Sequence, residues 1–145
     1  MTDYSAEISS LSEQISSCQS SLDKATKACE SLEQFKRVIE NAQSDFHNCM
    51  AQKNVALDLT ERYSVNTESV KKYCDGMDSR LNGIGARGVE AAYLMFLVAI
   101  NGKLVLYRTR ISHYESLISS YNNAIDDLRS RQLAEEAQQE GGTYA

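Results

Sequence analysis

The sequence contains no proline and no tryptophan, and only 7 of its 145 residues are glycine. Proline interrupts helices and glycine weakens them, so their scarcity favours long helices. With no tryptophan, 3 phenylalanines and 8 tyrosines supply few large side chains for a deep core. The sequence therefore predicts a single thin helical domain rather than a compact globule.

Basic residues are too few and too scattered to form a nucleic-acid-binding patch. The chain has 15 Lys and Arg against 20 Asp and Glu, a net charge of −5, and its longest basic cluster is Lys71-Lys72. Nucleic-acid binding is therefore not expected. The longest apolar run, residues 91–100, is about half of the ~20 residues that a membrane-spanning helix needs. We expect this run to be a buried helical stretch, without membrane insertion.

The residues that could carry chemistry lack the partners that chemistry requires. The cysteines are Cys18, Cys29, Cys49 and Cys74. Their spacing matches no C-x-x-C motif, so we expect buried thiols of a reducing compartment, with a disulfide framework as the alternative. His47 and Cys49 have no second pair of metal ligands nearby, and no catalytic Asp or Ser motif accompanies His113. The sequence predicts no enzyme, no metal and no cofactor.

The N-terminal part of the chain carries an apolar seam with the four-and-three spacing of a heptad repeat. This N-terminal seam consists of Tyr4, Ile8, Leu11, Ile15, Cys18, Leu22, Ala25, Cys29 and Leu32. Helical spacing continues less regularly to about residue 81, which predicts a helical arm over residues 5–80. An unbroken arm would be about 110 Å long. We expect a bend, either near 45–54 or at 64–67.

Glycines are concentrated in one short segment, which predicts that the chain reverses there. The turn residues are Leu81, Asn82, Gly83, Gly85 and Gly88. Glycine adopts left-handed backbone angles without steric cost, and asparagine tolerates them. Gly83, Gly85 and Gly88 also match the dinucleotide-binding pattern GxGxxG, but that motif requires a preceding strand, and the sequence predicts none. The segment is interpreted as a turn.

A second seam follows the turn, in a helix predicted over residues 88–134. This C-terminal seam consists of Leu97, Ile100, Leu104, Tyr107, Ile111, Tyr114, Ile118, Tyr121, Ile125 and Leu128. Its three tyrosines, seven residues apart, fit seam packing better than an aromatic recognition stripe. Residues 1–134 are thus predicted to form one elongated domain, a long helical hairpin or coiled-coil-like bundle, and residues 135–145 a flexible tail.

Two narrow seams cannot both be shielded by the helices that carry them, so the sequence predicts association with another helical protein. The residues predicted to bind this partner belong to the two seams. They are Ile8, Leu11, Ile15, Leu22, Leu32, Leu104, Tyr107, Ile111, Tyr114, Ile118, Tyr121 and Ile125. The same pattern is compatible with association with a second copy of the chain.

A proline-free, all-helical chain with a glycine-containing turn between two long helices resembles the WXG-type superfamily of type VII secretion in Gram-positive bacteria. More narrowly, it resembles the YwqH-like accessory proteins that accompany LXG toxins. Leu81-Asn82-Gly83 stands at the position of the superfamily's Trp-x-Gly turn. The segment 99–104, Ala-Ile-Asn-Gly-Lys-Leu, leads into the isoleucine and tyrosine seam and is similar to the family's C-terminal helix.

The resemblance implies a small chaperone-like adaptor that binds the helical N-terminal domain of a secreted toxin, together with a second small helical protein in some complexes. Two features of the sequence depart from the family's pattern. Leu81 replaces the tryptophan, and no Tyr or Phe is followed four residues later by Asp or Glu, the spacing of the family's export signal. An export signal would therefore have to come from the partner.

The alternative function is a structural coiled-coil subunit of an intracellular scaffold or tethering complex, which the same periodicity supports. The N-terminal segment 1–5 lacks the positive and apolar regions of a secretory signal peptide. We therefore expect a cytoplasmic protein, with secretion alongside its partner left open.

Overall fold

A computed structural model of the chain describes residues 3–63 and 68–142, and these residues form three helices and no strand. The helices are α1 (Ser5–Tyr63), α2 (Glu68–Asn82) and α3 (Ile84–Gly142). The predicted all-α fold is confirmed. Helix α1 passes through 45–54 without a break, and the other predicted bend, at 64–67, lies outside the described residues.

Helix α1 begins with a side-chain cap. The backbone N–H of Ser5 donates to Oδ1 of Asp3 over 2.9 Å, and the N–H of Ile8 donates to the Tyr4 carbonyl oxygen over 2.9 Å. The first N–H groups of a helix lack partners within it, and an aspartate at this position supplies one. A hydrogen bond from the Ser5 side chain, together with the one from its backbone N–H, lowers the pKa of the Asp3 carboxyl.

The chain divides into two compact units, and helices α1 and α3 contribute to both. Unit 1 comprises the described residues of Met1–Glu30 and Val105–Ala145, and unit 2 is Ser31–Leu104. Unit 1 is a pair of helix segments. Unit 2 contains the rest of α1, all of α2 and the first part of α3.

In unit 1 the two helix segments run antiparallel and pack through the predicted seams. The Tyr4 hydroxyl near the start of α1 donates to Oε1 of Glu135 near the end of α3, over 2.9 Å. Ala25 and Cys29 on α1 and Ile125 on α3 are buried, whereas the other seam residues of this unit are half-buried. The charged side chains between the seam positions are mostly exposed. The heptad spacing therefore identified the faces along which these helices pair.

In unit 2, helix α2 also runs antiparallel to the last part of α1. Leu57 of α1 is buried together with Cys74 and Leu81 of α2, and Met50, Val70 and Met77 pack against this cluster. Nδ2 of Asn82, at the end of α2, donates to Oδ1 of Asn54 over 2.8 Å. Helix α3 continues along α1 in the same direction as α2, with Tyr93 lying beside Phe46. The predicted helical hairpin is thus present within each unit.

The glycine-rich segment holds a bend between α2 and α3 rather than the predicted reversal of the chain. Gly83 separates the two helices, and its carbonyl accepts the first hydrogen bond of α3, from the Arg87 N–H over 3.1 Å. The prediction assumed left-handed glycines, but no described glycine has a positive φ, and Gly85 and Gly88 lie within α3. Since α2 already runs antiparallel to α1, no further reversal is needed at Gly83.

At the C-terminus, the segment predicted as a flexible tail from residue 135 is helical as far as Gly142. Its first residue, Glu135, is the acceptor of the hydrogen bond from Tyr4. Residues 143–145 lie outside the described residues.

Candidate partner-binding surface

The residues predicted to bind a partner lie along the faces on which the chain's own helices pair. Leu104 and Ile125 are buried, and Leu104 is the most deeply buried large side chain, at 1% exposure. The remaining predicted residues, Ile8, Leu11, Ile15, Leu22, Leu32, Tyr107, Ile111, Tyr114, Ile118 and Tyr121, are half-buried. They retain some accessible apolar area, but part of each side chain is already covered within the chain. Their role in binding a partner stays a prediction.

The predicted turn residues have structural roles in unit 2. Leu81 is buried in the cluster with Leu57 and Cys74. Asn82 donates both to Asn54 and, over 2.9 Å, to Oδ1 of Asp78. Together these contacts hold the end of α2 against α1, and so they position the beginning of α3.

The exposed large hydrophobic side chains are concentrated in unit 2, at positions that the sequence analysis did not predict. Among the described residues of unit 2, eleven large hydrophobic side chains are exposed, against five buried hydrophobic residues.

 

Six of the eleven lie within residues 84–98 of helix α3. They are Ile84, Val89, Leu94, Met95, Phe96 and Val98. The other five, on α1 and α2, are Phe35, Val38, Val55, Leu59 and Tyr73. Single exposed hydrophobic residues are common on proteins, whereas a concentration of them on one element marks an interaction surface.

The run 91–100 is helical as predicted, but in this chain it is not buried. Only Ile100 is buried, Tyr93 and Leu97 are half-buried, and the rest of the run is exposed. Within Glu68–Gly142, an eighteen-residue window is long and apolar enough to cross a membrane by length and composition alone, and 11% of it is buried. A core helix of a soluble protein meets the same criterion, but such a helix is mostly buried. The apolar stretch of α3 is therefore surface in the isolated chain.

Side-chain contacts hold α1 and α3 together beside this surface. The rings of Phe46 and Tyr93 have centroids 6.0 Å apart and are tilted by 50°. One residue further along α1, Nε2 of His47 lies 3.4 Å from Oε1 of Glu90, with both side chains about half exposed. This exposed contact is an ion pair only when His47 is protonated, and exposed pairs of this kind add little stability. The aromatic contact and the buried residues therefore contribute most to this pairing.

Within the described residues, no group of three or more His, Cys, Asp or Glu side chains could hold a metal ion. The GxGxxG segment follows helix α2 rather than the strand that a dinucleotide site requires. Unit 1 has an open groove of about 290 Å³ between Lys24 and Ala25 on α1 and Tyr107, Arg110 and Tyr114 on α3. Arg110 lies over the Tyr107 ring, 5.4 Å from its centroid, so this groove is bordered by a cation–π contact.

The four cysteines form no disulfide and differ in their exposure. Cys29 and Cys74 are buried, Cys18 is half-buried and Cys49 is exposed. Burial raises the pKa of the Cys74 thiol, and the carboxylates of Glu61 and Asp75 raise it further. The prediction of buried thiols therefore holds for two of the four residues.

Comparison of the sequence with protein families and with curated proteins, and of the structure with solved structures, finds no match.

Proposed function

We propose that this protein is a non-enzymatic adaptor that binds a second helical protein through the exposed apolar surface of unit 2. The observation that supports it is the excess of exposed over buried large hydrophobic residues in that unit. Covering one large apolar side chain contributes roughly 1.5–3 kcal/mol, so a partner that covers several of them binds favourably. The proposal includes no cofactor and no metal.

The resemblance to type VII accessory proteins supplies the class of partner. We propose that the partner is the helical N-terminal domain of a secreted toxin, and that the adaptor shields apolar helices of both proteins until the secretion machinery accepts the complex. An amphipathic partner helix matches a helical surface because apolar side chains on both can interdigitate along their length.

The experiment is co-expression of the full chain with the product of a neighbouring reading frame that has a helical N-terminal domain. Val38 on α1 and Phe96 on α3 are exposed members of unit 2, and we expect Val38→Asp with Phe96→Asp to lower the yield of the co-purified complex at least tenfold. Each aspartate would place a charge in a desolvated apolar contact.

The matched control is Leu133→Asp, because Leu133 is 66% exposed and lies in unit 1. It should leave the yield unchanged. Circular dichroism of each purified variant checks that the helices are intact. Complex formation that is equally strong in all variants would contradict the proposal, as would the absence of a complex with the unmodified chain.

A further inference from the structure

Helix α3 carries a further row of apolar residues, on the face opposite to the C-terminal seam that packs on α1. Its members follow the four-and-three spacing and are all exposed. This outer stripe consists of Ile84, Gly88, Ala91, Met95, Val98 and Gly102. Ile84 is 91% exposed, Met95 73% and Val98 71%. All six residues belong to unit 2.

The outer stripe is symmetric about residue 93. Its spacing is four, three, four, three and four, which is the same in either direction along the helix. An antiparallel copy of the stripe can therefore be placed against it in register. The layers are then Ile84 with Gly102, Gly88 with Val98, and Ala91 with Met95, and each occurs twice.

Every layer of this pairing combines one large side chain with one small residue. Facing helices pack best when large and small residues alternate across the interface, because the side chains then interdigitate without voids. A surface that complements itself in this way is the hallmark of a two-fold symmetric dimer.

The glycines of the stripe provide a second observation. Gly88 and Gly102 lie inside α3, where glycine is less stable than alanine. A Cβ at either position would meet nothing within 4 Å in this chain. No contact within the chain requires glycine at these two positions, and both leave open space for a large side chain of a facing helix.

The charges around the stripe are compatible with self-pairing. No member of the stripe is charged, and Arg87 is the charged residue closest to its face by helical position. In the antiparallel register, the two Arg87 residues are separated by twelve residues along the axis, about 18 Å. This exceeds the screening length of about 8 Å at physiological salt, so their repulsion is weak.

We propose that the outer stripe of α3 binds a second copy of this chain, in an antiparallel pair with its two-fold axis at residue 93. The inference goes beyond the proposed function and does not depend on the identity of the toxin partner. The variants that test it leave Val38 and Phe96 unchanged, so either proposal can fail without the other.

The test is sedimentation equilibrium of the full chain and of a swap series at residues 91 and 95. Ala91→Met places two methionines in the same layer, and Met95→Ala places two alanines there. Each single variant should weaken the dimer about tenfold or more. The double variant Ala91→Met with Met95→Ala restores one large and one small residue to both layers. The dissociation constant of its dimer should therefore be within about threefold of that of the unmodified chain.

A charge variant and its control complete the test. Val98→Asp should make the chain monomeric, whereas Val55→Asp should not, because Val55 is a similarly exposed valine on α1. Circular dichroism checks the fold of both. The proposal is overturned if the unmodified chain is monomeric at about 100 μM. This holds even if the monomeric chain binds phosphatidylglycerol vesicles, since the exposed stripe would then be a lipid-binding surface. A dimer that survives Val98→Asp would also overturn it. So would a double variant whose dimer is no tighter than the dimers of the single variants.

Discussion

Two glycines of this chain differ in what surrounds their missing side chains. At Gly83, an added Cβ would collide with the carbonyl oxygen of Ser79, whereas at Gly76 it would meet nothing within 4 Å. Gly83 lies at the bend between α2 and α3, and Gly76 lies inside α2. The same substitution should therefore have opposite effects at the two positions.

We expect Gly83→Ala to lower the free energy of unfolding by about 1–3 kcal/mol, since the collision involves backbone that must shift. Gly76→Ala should raise it by roughly 0.5–1 kcal/mol, since alanine is the better helix former. Urea denaturation followed by circular dichroism measures both. Equal changes for the two variants would show that the close approach at Gly83 is not formed.

Thiol reactivity should follow the exposure of the cysteines. Cys49 is exposed, while Cys74 is buried and has a raised pKa, so less of it is thiolate near neutral pH. At pH 7.5 we expect a maleimide reagent to modify Cys49 first and Cys74 only after unfolding. Mass spectrometry of peptides from timed samples identifies the order, and the Cys49→Ser variant should lack the fast phase. Early modification of Cys74 would contradict the buried cluster with Leu57 and Leu81.

At the scale of the helices, the four-and-three spacing predicted the pairing faces correctly. The N-terminal and C-terminal seams are half-buried or buried at every position in α1 and α3. This success has a physical reason: heptad spacing places apolar residues on one face of a helix, whatever that face packs against. The spacing does not identify the neighbour, and here much of the covering comes from the chain itself.

Two predictions about elements failed because they depended on tertiary context. The reversal was expected at the glycine-rich segment, but Gly85 and Gly88 adopt helical angles there. Glycine permits a left-handed conformation without requiring it. The run 91–100 was expected to be buried because it is apolar. Helix α3 packs on α1 along only one of its faces, so the residues on its other faces remain exposed. Composition does not distinguish an apolar run that is buried within its own chain from one that is buried only when a partner binds.

The pairing of α1 with α3 depends on a few buried side chains. Leu104 is the most deeply buried, and truncating such a residue typically costs about 2–5 kcal/mol. We expect Leu104→Ala to reduce the free energy of unfolding by that amount, and Leu133→Ala, at an exposed position of α3, to change it by less than about 0.5 kcal/mol. Thermal and urea denaturation measure both. Similar small effects would indicate that the seam contributes little to folding.

For the whole molecule, the account depends on apolar surface that the single chain does not cover. Unit 2 exposes large hydrophobic residues on all three helices, and the outer stripe of α3 accounts for three of them. Self-association through that stripe leaves Val38 and Phe96 available to a different partner. The sequence predicted association, but it did not separate these surfaces from the seams, because both have helical spacing.

The most direct test of this central claim is the molar mass, by size-exclusion chromatography with light scattering, of the purified chain mixed with a purified helical toxin domain from a neighbouring reading frame. The account predicts a single peak that contains both proteins and whose mass exceeds that of either alone. Two separate peaks, each with the mass of the free protein, would contradict it.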